Sequence, residues 1–231
     1  MFQDFNPKQE MRAHETNNKA STKDEGKKSS FSYWTTHALI HVPQKVLRSS
    51  LQALLASEND GWAAGRIWPR TECDGNMNCA TGSCGPRVQC NGAGGEPPAS
   101  LAEFTLRGAG GLDFYDVSLV DGYNIPVLID VIGGQGSCKR AGGCFKNIND
   151  ICPDDLAVKR HGRTVACKSG CLAYNTHREC CREAFGTPDK CKQTRTAKLF
   201  KDACPGAYSY AYDDATSTFT CKNANYIVQF C

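Results

Sequence analysis

Fifteen cysteines, all between Cys73 and Cys231, constrain this 231-residue chain more than any other feature. They make up about 9% of that stretch, the density of a disulfide scaffold. No pair of CxxC knuckles is present, so the spacings are not those of a zinc site. Cys180 and Cys181 are adjacent, which sends them to different partners. Bridges on this scale form in an oxidising compartment. The count is odd, so one thiol is left over.

Charge limits the partners. Residues 1–50 carry eight Lys/Arg and five Asp/Glu, and residues 51–231 carry 19 of each. The net charge of +3 therefore belongs to the first fifty residues. The cysteine-rich part has no overall excess of basic charge for nucleic acid. No run of 18 apolar residues exists to span a bilayer. Residues 1–30 are polar and read as disordered. After Met1 there is no basic segment leading into an apolar stretch, so no secretory leader is visible. Residues 31–57 are ambiguous: Phe31 to Val42 is compatible with a strand, and Val46 to Ala56 with a short helix or a strand. His37 and His41 are four apart but lack a third ligand nearby, so no metal site is expected.

The segment Gly108 to Asn124 sets Asp113, Asp116 and Asp121 among aromatic and β-branched residues, after a glycine cluster. It reads as strand with carboxylates on it, and a carboxylate entering a sheet needs a partner or water. Asp116 and Asp121 are five apart and face opposite sides of a uniform strand. They converge only if the chain turns at Asp121-Gly122, a dipeptide with turn chemistry.

The motifs as a group resemble the thaumatin-like (pathogenesis-related, osmotin-like) proteins of plants. They are Gly-Arg-Ile-Trp-x-Arg-Thr-x-Cys at 65–73, Cys-x-Thr-Gly-x-Cys-Gly at 79–85 and Cys-Asn-Gly-Ala-Gly-Gly at 90–95. Three more follow: Pro-Pro-Ala-Ser-Leu-Ala-Glu-Phe-Thr-Leu at 97–106, the acidic stretch through Pro126, and Cys-Pro-x-Ala-Tyr-Ser-Tyr-Ala-Tyr-Asp-Asp from Cys204. The resemblance runs from about residue 50 to Cys231 and implies a mainly-β protein. Its core is a flattened antiparallel sandwich over 50–70, 99–137 and 205–231. A small disulfide loop subdomain lies at 71–98, and a larger one at 138–204 carries one short helix. That helix is expected around Val165–Tyr174, weakened by Gly170.

The resemblance also implies the pairs Cys73–Cys79, Cys84–Cys90, Cys138–Cys221, Cys144–Cys204, Cys152–Cys167, Cys171–Cys180 and Cys181–Cys191. The family's first cysteine pairs with its last and sits in an opening hairpin. Residues 1–49 are atypical and do not look like those strands, so Cys231 is expected as a free thiol. The family's acidic cleft maps onto Arg66, Glu103, Asp116, Asp121 and Asp213. Clustered carboxylates raise at least one pKa, and a raised acid beside an ionised one is the equipment of glycoside hydrolysis. Glu103 is the expected acid and Asp121 the base or nucleophile. Tyr115, Tyr123, Tyr208 and Tyr212 are candidates for stacking on sugars, though each taken singly reads first as core or surface. The family implies antifungal defence in the apoplast or vacuole. Three readings stay open: binding of fungal β-1,3-glucan, weak endo-β-1,3-glucanase activity, or permeabilising a membrane surface or engaging a receptor. A monomer without cofactor is expected.

Overall fold

A computed structural model describes residues 63–230 in full and the backbone of 30–35, 39–42 and 51–56. The expected disorder before residue 30, the side chains of His37 and His41, and the thiol of Cys231 lie outside the described residues.

Among the described residues, twelve strands carry the fold. In chain order they are β1 (Ser30–Thr35), β2 (Leu39–Val42), β3 (Leu51–Ala56), β4 (Ala64–Cys73), β5 (Leu101–Thr105) and β6 (Asp113–Ser118). Then come β7 (Val127–Gln135), β8 (Ala141–Gly142), β9 (Ala157–Arg160), β10 (Arg163–Cys167), β11 (Ala207–Tyr208) and β12 (Phe219–Phe230). One layer runs β2-β1-β4-β5-β6, with β11 added to β6 in parallel. The other brings together β3, β12, β7 and β8. Strand β12 joins the two. Its residues 219–221 pair with β6, and from Lys222 onward it pairs with β7. Asn223, in the left-handed conformation (φ 53°), sits where β12 changes partner. β9 and β10 form a separate two-stranded ribbon.

The core lies between the layers. Phe104 and Tyr115 from the first layer meet Tyr226 from the second at ring-centroid distances of 5.3 Å and 5.0 Å. In β5 and β6, buried Ala102, Phe104, Tyr115 and Val117 alternate with Glu103 and Asp116 on the outer face.

Two expectations are corrected. The sequence reading found no family-like opening strands before residue 50. The structure forms an antiparallel β1–β2 hairpin there, and β1 pairs along the outer edge of β4, from Ser30 opposite Cys73 to Thr35 opposite Ile67. β3 likewise pairs with β12. Strand pairing uses backbone groups, so the edge of β4 is paired whether or not the segment looks like the family's opening strands.

The second correction concerns helices. Arg163–Cys167 is strand, and the expected helix is only α2 (Gly170–Tyr174). Gly170 opens that helix, capped by Ser169, and does not interrupt it. A Cβ there would stand 1.9 Å from Glu179 Oε2, so a larger residue displaces the Glu179 carboxylate. Three more helices are present: α1 (Ile148–Ile151), α3 (Arg195–Ala203) and α4 (Asp214–Ser217). α3 had a readable signal in its Thr194 cap and in buried Ala197, Phe200 and Ala203 at a three-residue spacing.

Among the described residues, seven disulfides are present, joining the same seven pairs that the resemblance implies. Cys138–Cys221 ties the start of the larger subdomain to β12, and Cys144–Cys204 closes that subdomain near α3.

Candidate functional site

Arg66, Glu103 and Asp116 stand side by side on three adjacent strands. Arg66 is directly opposite Glu103 in the β4–β5 register, and Glu103 is directly opposite Asp116 in β5–β6. Their alternation with core residues turns all three to the outer face. Arg66 Nε meets Glu103 Oε1 at 2.5 Å, with the arginine more than half exposed.

Asp121 joins them through the turn its sequence anticipates. The Gly122 amide donates to the Leu119 carbonyl at 2.9 Å, closing a turn directly after β6. Gly122 has φ +89°, and a Cβ there would come within 2.7 Å of Pro98 Cβ and 2.8 Å of the Cys167 carbonyl. Only glycine fits this turn, which brings Asp121 back to the side of Asp116. Asn124 anchors the chain behind it. Its amide donates to the Pro69 carbonyl and Thr81 Oγ1, both at 2.9 Å, and its oxygen accepts from the Ser100 and Ile125 amides.

These side chains line a cavity of about 310 Å³ with Leu101, Ser118, Val120, Tyr208, Ala211 and Asp214. Its second wall is therefore the segment after the larger subdomain. A smaller cavity of about 40 Å³ shares Val120 and Ala211 with it and runs on to Glu179 and α2 of that subdomain.

The expected fifth residue lies elsewhere. Asp213 is buried, and its Oδ2 accepts from the Ser209 amide and hydroxyl at 2.9 Å each. Lys201 Nζ sits 3.0 Å from the same oxygen, with side-chain exposures of 15% and 10% for the pair. Asp214, the next residue, faces the cavity and accepts from Tyr208 Oη at 2.8 Å. The Asp-Asp doublet signalled a carboxylate here, but the start of α4 decides which one faces outward.

Lys201 was not legible as a site residue. It also donates to the Ala207 carbonyl at 3.0 Å and Ser217 Oγ at 2.8 Å, so one ammonium ties α3 to both β11 and α4. Lys201→Met strands a buried carboxylate and is expected to destabilise the fold by about 3 kcal/mol. A denaturant melt checks this, and a loss below about 1 kcal/mol would contradict the role.

Of the four candidate tyrosines, only Tyr208 lines the cavity. Tyr115 and Tyr123 are core residues whose hydroxyls donate to the Lys139 carbonyl and Asn147 Oδ1. Tyr212 donates to the Gly186 carbonyl.

The electrostatics single out Asp116. Burial pushes its carboxyl up to about 8, the charge of Glu103 adds to the rise, Arg66 opposes it and Asp214 adds again. Its Oδ1 is buried without a hydrogen-bond partner among the described residues. The expected acid was Glu103, but that carboxylate is the one Arg66 engages. The raised acid is Asp116, because it sits one strand further from the guanidinium and deeper under the opposite wall. At neutral pH, Asp116 holds a proton in the cavity that Glu103, Asp121 and Asp214 also line. No cluster of His, Cys, Asp or Glu suited to a metal ion occurs among the described residues.

The sequence profile of the thaumatin family matches residues 36–231. The chain belongs to the thaumatin family. It is 55% identical over 175 residues to pathogenesis-related protein 5 of Arabidopsis thaliana, covering 74% of this chain and 72% of that one. It is 50% identical over 184 residues to pathogenesis-related thaumatin-like protein 3.5 of Cryptomeria japonica, covering 78% and 75%. Thaumatin-like protein 1 of Pyrus pyrifolia is 51% identical over 175 residues, covering 73% and 71%. The mainly-β architecture with short helices and seven disulfides is that of a thaumatin-like protein. Those bridges and the thaumatin-like relatives fit an extracellular protein.

Proposed function

We propose that this thaumatin-like chain is a plant defence protein of the apoplast or vacuole that binds fungal β-1,3-glucan in the acidic cleft. The observation that carries the reading is the cross-strand row Arg66, Glu103 and Asp116 facing a 310 Å³ cavity with Asp121 and Asp214. Its volume lies at the small end of the range for ligand sites. A polyhydroxyl chain needs both donors and acceptors. Arg66 and protonated Asp116 donate, while Glu103, Asp121 and Asp214 accept. Tyr208 supplies an aromatic face at the wall. The relatives' pathogenesis-related names support the defence role.

Co-sedimentation with insoluble β-1,3-glucan, with cellulose as control, tests the reading. The wild type is expected in the glucan pellet alone. Glu103→Gln removes the charge that orients Arg66, and binding is expected to weaken about tenfold. Equal recovery of the wild type from cellulose and glucan would sink the proposal.

A second reading, slow endo-hydrolysis, is favoured by one observation, the raised acid of Asp116 in the cavity that Glu103, Asp121 and Asp214 also line. In this version Asp116 protonates the leaving oxygen, and Asp121 acts as base or nucleophile. Asp116→Asn then abolishes release of reducing ends while leaving glucan in the pellet fraction bound. Reducing ends released equally by the wild type and Asp116→Asn would exclude that assignment.

A further inference from the structure

We propose that the tip of the β9–β10 hairpin binds anionic polysaccharide, at a site separate from the acidic cleft. Charge is segregated in this chain. Residues 138–204 hold 14 Lys/Arg against 7 Asp/Glu, whereas residues 63–137 and 205–230 together hold 5 against 10. The overall neutrality of the cysteine-rich part thus hides a cationic subdomain beside an acidic sandwich.

The cationic charge is densest where the ribbon turns, at Lys159-Arg160-His161-Gly162-Arg163. His161 (φ 49°) and Gly162 (φ 76°) are both left-handed, the backbone of a tight two-residue hairpin turn. That turn sets Arg160 directly opposite Arg163 in the register. Like charges in that position repel and weaken the ribbon. All five residues are exposed. Lys159 is engaged by Asp154 at 2.7 Å and Arg163 by Glu72 at 2.5 Å. No ion pair engages Arg160 or His161 among the described residues. The register places Arg160 across from Arg163, so a carboxylate or sulfate bound by Arg160 at the tip turns the repulsion between the two positions into attraction.

The occupant follows from what the tip lacks. Its side chains are those of Lys159, Arg160, His161 and Arg163, and Val165 and Ala166 farther along β10 are buried. With no exposed apolar side chain to insert, the tip has charge alone to offer a bilayer.

Retention on immobilised polygalacturonate and heparin at rising salt tests this, with Arg160→Gln against Lys192→Gln, which removes one charge from the same subdomain. Arg160→Gln leaves the Lys159–Asp154 and Arg163–Glu72 pairs in place, and it removes a repulsion, so its melting temperature is expected to hold or rise. Its affinity for the polyanion at physiological salt is expected to fall about tenfold, while Lys192→Gln changes it less than about twofold. Equal losses in the two variants would show diffuse charge only and overturn the site. Binding to anionic vesicles without binding to either polysaccharide would assign the tip to membranes and overturn the occupant. Glucan co-sedimentation by Arg160→Gln is expected to stay at the wild-type level, which separates this proposal from the cleft.

Discussion

Replacing Arg70 with alanine is expected to cost this protein about 3–5 kcal/mol and to loosen the loop subdomain at 74–98. Arg70 is fully buried near the end of β4. Its Nη1 donates to the Arg87 carbonyl at 2.9 Å and to Cys84 Sγ at 3.3 Å. Its Nη2 donates to the carbonyls of Met77 at 2.9 Å and Gly85 at 3.0 Å. The loop it holds has little core of its own. Trp68, Cys90, Ala99 and Leu101 make up its buried apolar cluster, and the Trp68 indole donates to the Gly82 carbonyl at 2.9 Å.

Removing the guanidinium leaves several half-buried acceptors without their partner at once, and each costs up to about 1–3 kcal/mol. Lysine is no substitute, because a point ammonium cannot reproduce a planar fork that serves four acceptors. Burial lowers the Arg70 pKa, the direction expected of a charge held away from water. Denaturant melts of Arg70→Ala and Arg70→Lys check the stability, and limited proteolysis locates the loosened loop. A loss below about 1 kcal/mol in both variants would show that the two short disulfides suffice without Arg70.

The second large effect is a gain. Asp116→Asn is expected to stabilise the protein at pH 9 by roughly 3–5 kcal/mol and to change little near pH 4. The sign follows from the raised carboxyl. The ordinary value is 3.8 and the folded value about 8. Between these the folded state holds a proton that the unfolded state has released, so stability falls as pH rises through that window. Above pH 8 the wild type carries a buried carboxylate beside Glu103 and Asp214, and asparagine does not. Melting temperatures across pH 4–9 give the comparison. Parallel curves for wild type and variant would place Asp116 in an ordinary environment and remove the basis for its role as acid.

How much of this was legible depends on what each residue's position requires. The seven disulfides and the acids of β5 and β6 lie in stretches with strong motif resemblance, such as Leu-Ala-Glu-Phe and Asp-Phe-Tyr-Asp. The convergence of Asp116 and Asp121 was readable as a condition, a turn at Asp121-Gly122, and the close contacts around Gly122 meet that condition. The choice between Asp213 and Asp214 was not readable. It depends on Lys201, twelve residues away in sequence, capturing Asp213 inside the fold. The raised acid was also hidden, since Glu103 and Asp116 are alike in sequence and differ in which of them Arg66 reaches. The opening hairpin escaped because edge-strand pairing uses backbone groups that many sequences supply.

The most direct measurement is a titration of isotopically labelled protein with a soluble β-1,3-glucan oligosaccharide, followed by NMR. The largest shifts are expected at Arg66, Glu103, Asp116, Asp121, Tyr208 and Asp214, with the β9–β10 hairpin unmoved. Saturating shifts confined to residues outside this cleft, or none at millimolar oligosaccharide, would contradict the account.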